Sequence, residues 1–219
     1  MKLQIAIDGP AGSGKSTVAK RIAHELHLTY LDTGAMYRCA TLVSLQKGTK
    51  EPSALINFLT ENPISFQNTR ADQRVFIGLN DVSAAIRTPE VAAAVSEISA
   101  LPEIRDFMTA EQRRIAADSS IIMDGRDIGT VVLPDADLKI FLSADVHERA
   151  ERRHKENIEK GIPSALAEIE RTIAARDLYD STRAIAPLKK APDAIEYDTT
   201  GKTIDEVVAF IEEKIKSLS

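Results

Sequence analysis

Gly9-Pro10-Ala11-Gly12-Ser13-Gly14-Lys15-Ser16 follows the apolar run Leu3-Gln4-Ile5-Ala6-Ile7 and fits the pattern G-x-x-x-x-G-K-[ST]. Between a buried strand and a helix, that pattern is a phosphate-binding loop. Successive backbone N–H groups of such a turn converge on one anion. The helix that follows adds its own free donors and the positive end of its dipole. Lys15 supplies a mobile charge for the β- and γ-phosphates, and the Ser16 hydroxyl is a hard oxygen suited to Mg2+. Residues Gly9 to Thr17 are therefore the expected binding site for a nucleoside triphosphate.

Periodicity extends this reading in both directions. Val18, Ala19, Ile22, Ala23 and Leu26 recur at three- and four-residue spacing, which predicts a helix packed on a sheet and holding the loop rigid. Strands are expected at 29–32, 121–124 and 138–142, with a shorter one at 194–197. Helices are expected over 36–46 and 54–59, and at the C-terminal segment carrying Ile204, Val207, Val208, Ile211 and Ile215. Such alternation implies a parallel α/β sheet covered on both faces. The middle of the chain breaks the rhythm. Residues 64–66 and 75–79 read as strands joined by a polar turn over 68–73, and Asn80-Asp81 suggests a second turn into Val82-Ser83. A small antiparallel sheet inserted into a parallel α/β protein suggests a subdomain that covers a second substrate.

The 219 residues suffice for a full core and suit one domain with insertions. A hydrophobic content of 43% and a charged content of 28% are ordinary for a globular enzyme. The net charge of −5 argues against a general nucleic-acid binder. Cys39 is the only cysteine, so neither a disulfide framework nor a cysteine-rich metal site is expected. No apolar stretch approaches membrane-spanning length. The expectation is a reduced, cytoplasmic protein without a nucleic-acid or membrane partner, and a monomer, since no feature demands an interface.

Three further constellations bear chemistry. Asp124 ends the run Ile121-Ile122-Met123 and precedes Gly125-Arg126-Asp127. A carboxylate at the C-terminal end of a strand beside the loop strand is the expected place for a Mg2+-orienting group, so Ser16 and Asp124 form the candidate metal pair. In Asp32-Thr33-Gly34-Ala35-Met36-Tyr37-Arg38 a strand ends in an acid and a small-residue turn leads to Tyr37 and Arg38, which open a helix. Arg38 suits bidentate capture of an acceptor phosphate. The third constellation is an arginine-rich C-terminal half. Arg149, Arg152 and Arg153 lie in a helical segment over 146–160, and Arg176, Asp180 and Arg183 are spaced to share one helical face. A lid that brings arginines in on closure would offset the charge of a transferring phosphoryl group and exclude water.

Taken together, these stretches resemble the bacterial cytidylate kinase family, among the P-loop nucleoside-monophosphate kinases. The phosphate loop, Leu31-Asp32-Thr33-Gly34-Ala35-Met36-Tyr37-Arg38, Ile86-Arg87-Thr88, Asp124-Gly125-Arg126-Asp127-Ile128-Gly129-Thr130, Ala175-Arg176-Asp177 and Arg183-Ala184-Ile185-Ala186-Pro187-Leu188 carry the likeness, which spans nearly the whole chain. The resemblance implies a P-loop kinase fold: core 1–50, 118–145 and 184–219, a monophosphate-binding insertion at about 51–117, and a helical lid at about 146–183. It implies phosphoryl transfer from ATP, with Mg2+, to CMP and dCMP. Ser96, Arg105 and Asp127 would then read the cytosine edge, and Arg38 and Arg126 would hold the acceptor phosphate. Asp32, Thr33 and Tyr37 belong to the acceptor motif, and Arg176, Asp180 and Arg183 would contact sugar and phosphates. Lys15, Arg126, Arg152, Arg153 and Arg176 are the expected catalytic cations. A kinase of another small acceptor, such as UMP or shikimate, and a slowly hydrolysing nucleotide sensor are the competing expectations.

Overall fold

A computed structural model of the chain describes residues 2–68, 73–159 and 161–218. Its strands are β1 (Gln4–Asp8), β2 (Thr29–Asp32), β3 (Ile64–Asn68), β4 (Gln73–Ile77), β5 (Asn80–Asp81), β6 (Ile121–Gly125), β7 (Leu138–Ser143) and β8 (Ile195–Asp198). Its helices are α1 (Lys15–Glu25), α2 (Thr33–Lys47), α3 (Pro52–Glu61), α4 (Pro89–Ile98), α5 (Pro102–Ala116), α6 (Val146–Glu159), α7 (Leu166–Thr182) and α8 (Ile204–Lys216). A five-stranded sheet has the order β2-β6-β1-β7-β8, and a three-stranded sheet the order β3-β4-β5.

The chain divides into two compact units. One comprises Met1–Tyr30 with Ser119–Ser219. There β1 pairs in parallel with β6 on one side and β7 on the other, and β7 pairs in parallel with β8. Being central, β1 is buried on both faces, which explains why it reads as a continuous apolar run. Ile5, Ile7, Ile122, Ile140 and Leu142 of the sheet pack with Val18, Ala19 and Ile22 of α1 and with Val207, Val208 and Ile211 of α8. Thr203 starts α8 through a reciprocal cap with Glu206. Tyr197 stacks on Phe210 with ring centroids 4.0 Å apart, fixing α8 against the edge strand.

The other unit is Leu31–Asp118. The Asp32 carboxylate accepts from the N–H of Ala35 at 2.9 Å and so starts α2 at Thr33, earlier than the expected residue 36. Tyr37 and Arg38 accordingly lie in the second turn and do not open the helix. The antiparallel sheet is present, with β3 facing β4 from Ile64↔Ile77 onward. The turn expected over 68–73 falls, at residues 69–72, outside the described residues. Asn80-Asp81 is not a turn but β5, paired Phe76↔Asp81 and Ile77↔Asn80. Gly78 takes φ +58, so the chain reverses two residues earlier than expected. Two helices not anticipated from the sequence, α4 and α5, complete the unit. They bury Val91, Val95 and Ile98, and Ile104, Arg105, Met108, Gln112 and Ala116.

Candidate active site

The strand-to-helix turn after β1 leaves α1 with no side-chain cap. Gly14 occupies the cap position at φ 87, so the first N–H groups of the helix have no side chain competing for an anion. Gly9 shows why glycine is needed here. A Cβ on it would lie 2.0 Å from the main-chain oxygen of Leu142, so the loop can run against β7 only without one. Lys15 is buried and donates to the Pro10 carbonyl at 2.6 Å and to Ser13 Oγ at 3.4 Å. Burial and the neighbouring Arg126 hold its ammonium well below the ordinary lysine range, while Asp124 and Asp8 oppose that shift.

The register of β1 on β6 pairs Ile7 with Asp124 and Asp8 with Gly125. Asp124 thereby reaches the phosphate loop: Ser16 Oγ donates to its Oδ2 at 2.6 Å, and buried Tyr30 donates to Oδ1 at 2.8 Å. A hydroxyl and a carboxylate of this kind fit Mg2+, which keeps several waters and takes only one or two protein oxygens alongside substrate phosphates. The loop after β6 also carries Arg126, whose Nε lies 3.1 Å from Asp180 Oδ2. Arg176 Nε lies 3.8 Å from the same oxygen, so the buried Asp180 carboxylate gathers both guanidinium groups. Arg183 is not on a helical face with them. It caps the C-terminus of α7 in extended conformation and donates from Nε and Nη2 to the Ala186 carbonyl at 2.8 and 2.5 Å. Its guanidinium is 3.9 Å from Asp127 Oδ1.

Arg152 pairs with Glu148 and donates to Thr199 Oγ1 and the Thr199 carbonyl at 3.1 and 2.7 Å. Arg153 is half exposed and pairs with Glu156 at 3.2 Å. In the unit Leu31–Asp118, Arg105 is buried, lies over the Tyr37 ring at 5.2 Å and donates to the Ser99 carbonyl at 3.1 Å. Ser96 lies on α4, and its carbonyl accepts from Ser99 Oγ. Arg38 donates to the Ile86 carbonyl at 3.3 Å. Thr33 and Tyr37 are buried in α2.

Two residues to which the sequence assigned no site role prove to be anchors. Arg149 is buried, donates to the Ala11 carbonyl at 3.0 Å and to the Ala144 carbonyl at 2.9 Å, and lies 2.6 Å from Asp177 Oδ2. It therefore ties α6 and α7 to the phosphate loop, but nothing in the run of arginines distinguishes it from its neighbours. Asp8, the last residue of β1, accepts from the N–H groups of Ile128 and Gly129 at 2.8 and 2.7 Å. An acid ending a buried apolar strand was the available signal.

A glycine-rich phosphate loop on a parallel α/β sheet, with a carboxylate of the adjacent strand on the loop's hydroxyl, defines a P-loop kinase fold. The solved shikimate kinase of Bacteroides thetaiotaomicron shares that fold at TM-score 0.50 and 13% identity, covering 98% of each chain. The family profile described as cytidylate kinase matches residues 5–217. The cytidylate kinase of Lactococcus lactis subsp. cremoris is 64% identical over 217 residues, spanning 99% of both chains. That of Streptococcus agalactiae serotype III is 59% identical, covering 99% of this chain and 96% of the relative. The chain belongs to the cytidylate kinase family. Among the described residues, no helix is long and apolar enough to cross a membrane.

The buried Asp8 carboxyl has a pH signature. Burial raises it from 3.8 to about 6, against the opposing pull of its two backbone hydrogen bonds. Because the folded value is the higher one, the protonated form favours folding. That contribution is complete below pH about 4 and is lost as pH rises through about 6, a change of about 3 kcal/mol. Asp8→Asn should therefore flatten the fall of unfolding free energy between pH about 4 and about 6, read from urea titrations of the ligand-free protein. Equal slopes in parent and variant would contradict the assignment.

Proposed function

We propose that this chain transfers the γ-phosphoryl group of ATP to CMP and dCMP, yielding ADP with CDP or dCDP. The observation that carries the reading is 64% identity over 99% of the chain to a protein named cytidylate kinase, together with an intact phosphate loop. No observation favours a different acceptor or a nucleotide sensor. Shikimate kinase enters only as a fold likeness at 13% identity.

The acceptor oxygen of a monophosphate is already anionic, so the reaction asks for positioning and charge neutralisation rather than a general base. Gly9–Thr17 would wrap the triphosphate with main-chain N–H groups, and Lys15 would move from the Pro10 carbonyl onto the phosphates. Ser16 and Asp124 would hold Mg2+, which would neutralise phosphate charge. Arg126 and Arg176, pre-set by Asp180, would address the phosphates, and Arg38 the acceptor phosphate. Arg152 and Arg153 would join on closure, exchanging their present partners Glu148, Thr199 and Glu156. Cytosine presents an amino donor beside a ring nitrogen and a carbonyl. Asp127 would accept from the amino group, while Arg105 and Ser96 would donate to the acceptors. Asp32, Thr33 and Tyr37 would shape the acceptor site, with Asp180 and Arg183 serving the sugar. A cytoplasmic monomer fits this reading, as does the lone Cys39 thiol, which burial pushes up to about 12.

Lys15→Ala should lower kcat by a factor of about 10²–10³ with the circular dichroism spectrum unchanged. A folded variant with near-parental turnover would remove the loop from the triphosphate site.

Uracil replaces the amino donor with a carbonyl, which would oppose the Asp127 carboxylate. UMP should therefore be disfavoured by about 2–4 kcal/mol in kcat/KM. Asp127→Asn supplies an amide donor and should narrow the CMP:UMP ratio, chiefly by loss of activity on CMP. An unchanged ratio would mean that Asp127 does not read the base.

A further inference from the structure

The carboxylate of Asp8 spends both oxygens on one short piece of chain. Oδ1 accepts from the N–H of Ile128 and Oδ2 from that of Gly129, 120 and 121 residues away in sequence. These are the first amides after Asp127, and they open a tight π-type turn over Ile128–Val132. The Asp127 carbonyl is held from the other side, accepting from the N–H groups of Val131 and Val132 at 2.9 and 3.2 Å. The peptide that follows Asp127 is thus gripped at both its oxygen and its nitrogen, which fixes the direction of the Asp127 Cα–Cβ bond. Gly129 leaves the turn uncrowded beside Lys139. A Cβ there would lie 3.4 Å from Asp8 Oδ2 and 3.2 Å from Lys139 Cδ. Asp8 is 5% exposed, and its burial works against the charged form, so a scaffold needing only packing would do better with an apolar residue.

We propose that Asp8 is a specificity-determining positioning residue, whose grip on the Ile128 and Gly129 amides aims Asp127 and so sets how sharply cytosine is preferred to uracil. The proposal rests on the reading of Asp127 given above. Asp8 is buried with both oxygens committed to these amides. It acts through the turn, and a displacement of Asp127 by a fraction of an ångström weakens its bond to the base amino group more than any contact common to both pyrimidines.

The test is kcat/KM for CMP and for UMP, with KM for ATP, in the parent, Asp8→Asn, Asp127→Asn and the double variant. Asparagine keeps the shape of Asp8 but has one acceptor oxygen, and its NH2 group would face one of the two amides. Asp8→Asn should narrow the CMP:UMP ratio by about tenfold while KM for ATP stays within about twofold. In the Asp127→Asn background the same change should leave the ratio unmoved, since residues acting as one unit are non-additive. Loss of stability alone scales both substrates together and leaves the ratio intact. If Asp127→Asn narrows the ratio and Asp8→Asn does not, the proposal fails while the reading of Asp127 stands. An Asp8→Asn variant that raises only KM for ATP also overturns it, because Asp8 would then serve the phosphate loop. If Asp127→Asn itself leaves the ratio unchanged, both fall. Should Asp8→Asn not fold, Asp8→Ser, which leaves a single short acceptor, loosens the same grip. A narrowed ratio there supports the proposal, and a parental ratio overturns it.

Discussion

The parallel pairing of β1 with β6, in the register that sets Ile7 beside Asp124 and Asp8 beside Gly125, is the constraint on which the rest of the candidate site depends. It brings together two chain segments separated by more than a hundred residues, one ending in an acid and the other carrying one next to its end. One acid, Asp124, turns to the hydroxyls of Ser16 and Tyr30. The other, Asp8, turns to the loop that carries Arg126 and Asp127. A one-residue slip would turn the slipped strand over, sending its acid and its isoleucines to the opposite face of the sheet. Hydrophobic burial in the sheet therefore sets the positions of the charged groups.

Those groups are buried, and burial of charge is tolerated only where hydrogen bonds or partners meet it. Lys15 has the Pro10 carbonyl, Arg149 has Ala11, Ala144 and Asp177, and Asp180 has two guanidinium groups. On the proposed reading, Asp180 would hold Arg126 and Arg176 in place before a phosphate arrives, while Lys15 would exchange its carbonyl partner for the phosphates. Asp8 carries such a cost too, as its rise to about 6 shows, and its two amide bonds oppose that rise.

Much of this was legible in the chain. The phosphate loop is a local pattern whose spacing carries its chemistry, and the strands at 121–124 and 138–142 are plain apolar runs. Asp124 could be placed because strand ends in such sheets face the ligand crevice. Helices α4 and α5 were less visible. Their buried positions Val91, Val95 and Ile98, and Ile104, Met108 and Ala116, do keep helical spacing, but Gln112 and Arg105 occupy the same buried stripe and blur it. The reversal at Gly78 was obscured by Asn80-Asp81, a pair with stronger turn chemistry than the residues that make the turn. Long-range polar bonds such as Asp8 to Ile128, or Arg149 to Ala11, leave no periodic trace. Only the fold brings their partners near.

The central claim is that these anchored charges transfer a phosphoryl group to a pyrimidine monophosphate rather than to water. Its most direct test is to incubate the purified chain with ATP, Mg2+ and CMP and to resolve all nucleotides and inorganic phosphate by ³¹P NMR over time. The account predicts CDP and ADP appearing in equal amounts, with no net release of phosphate and little ADP when CMP is omitted. ADP and phosphate accumulating at the same rate with and without CMP, and no CDP, would contradict it.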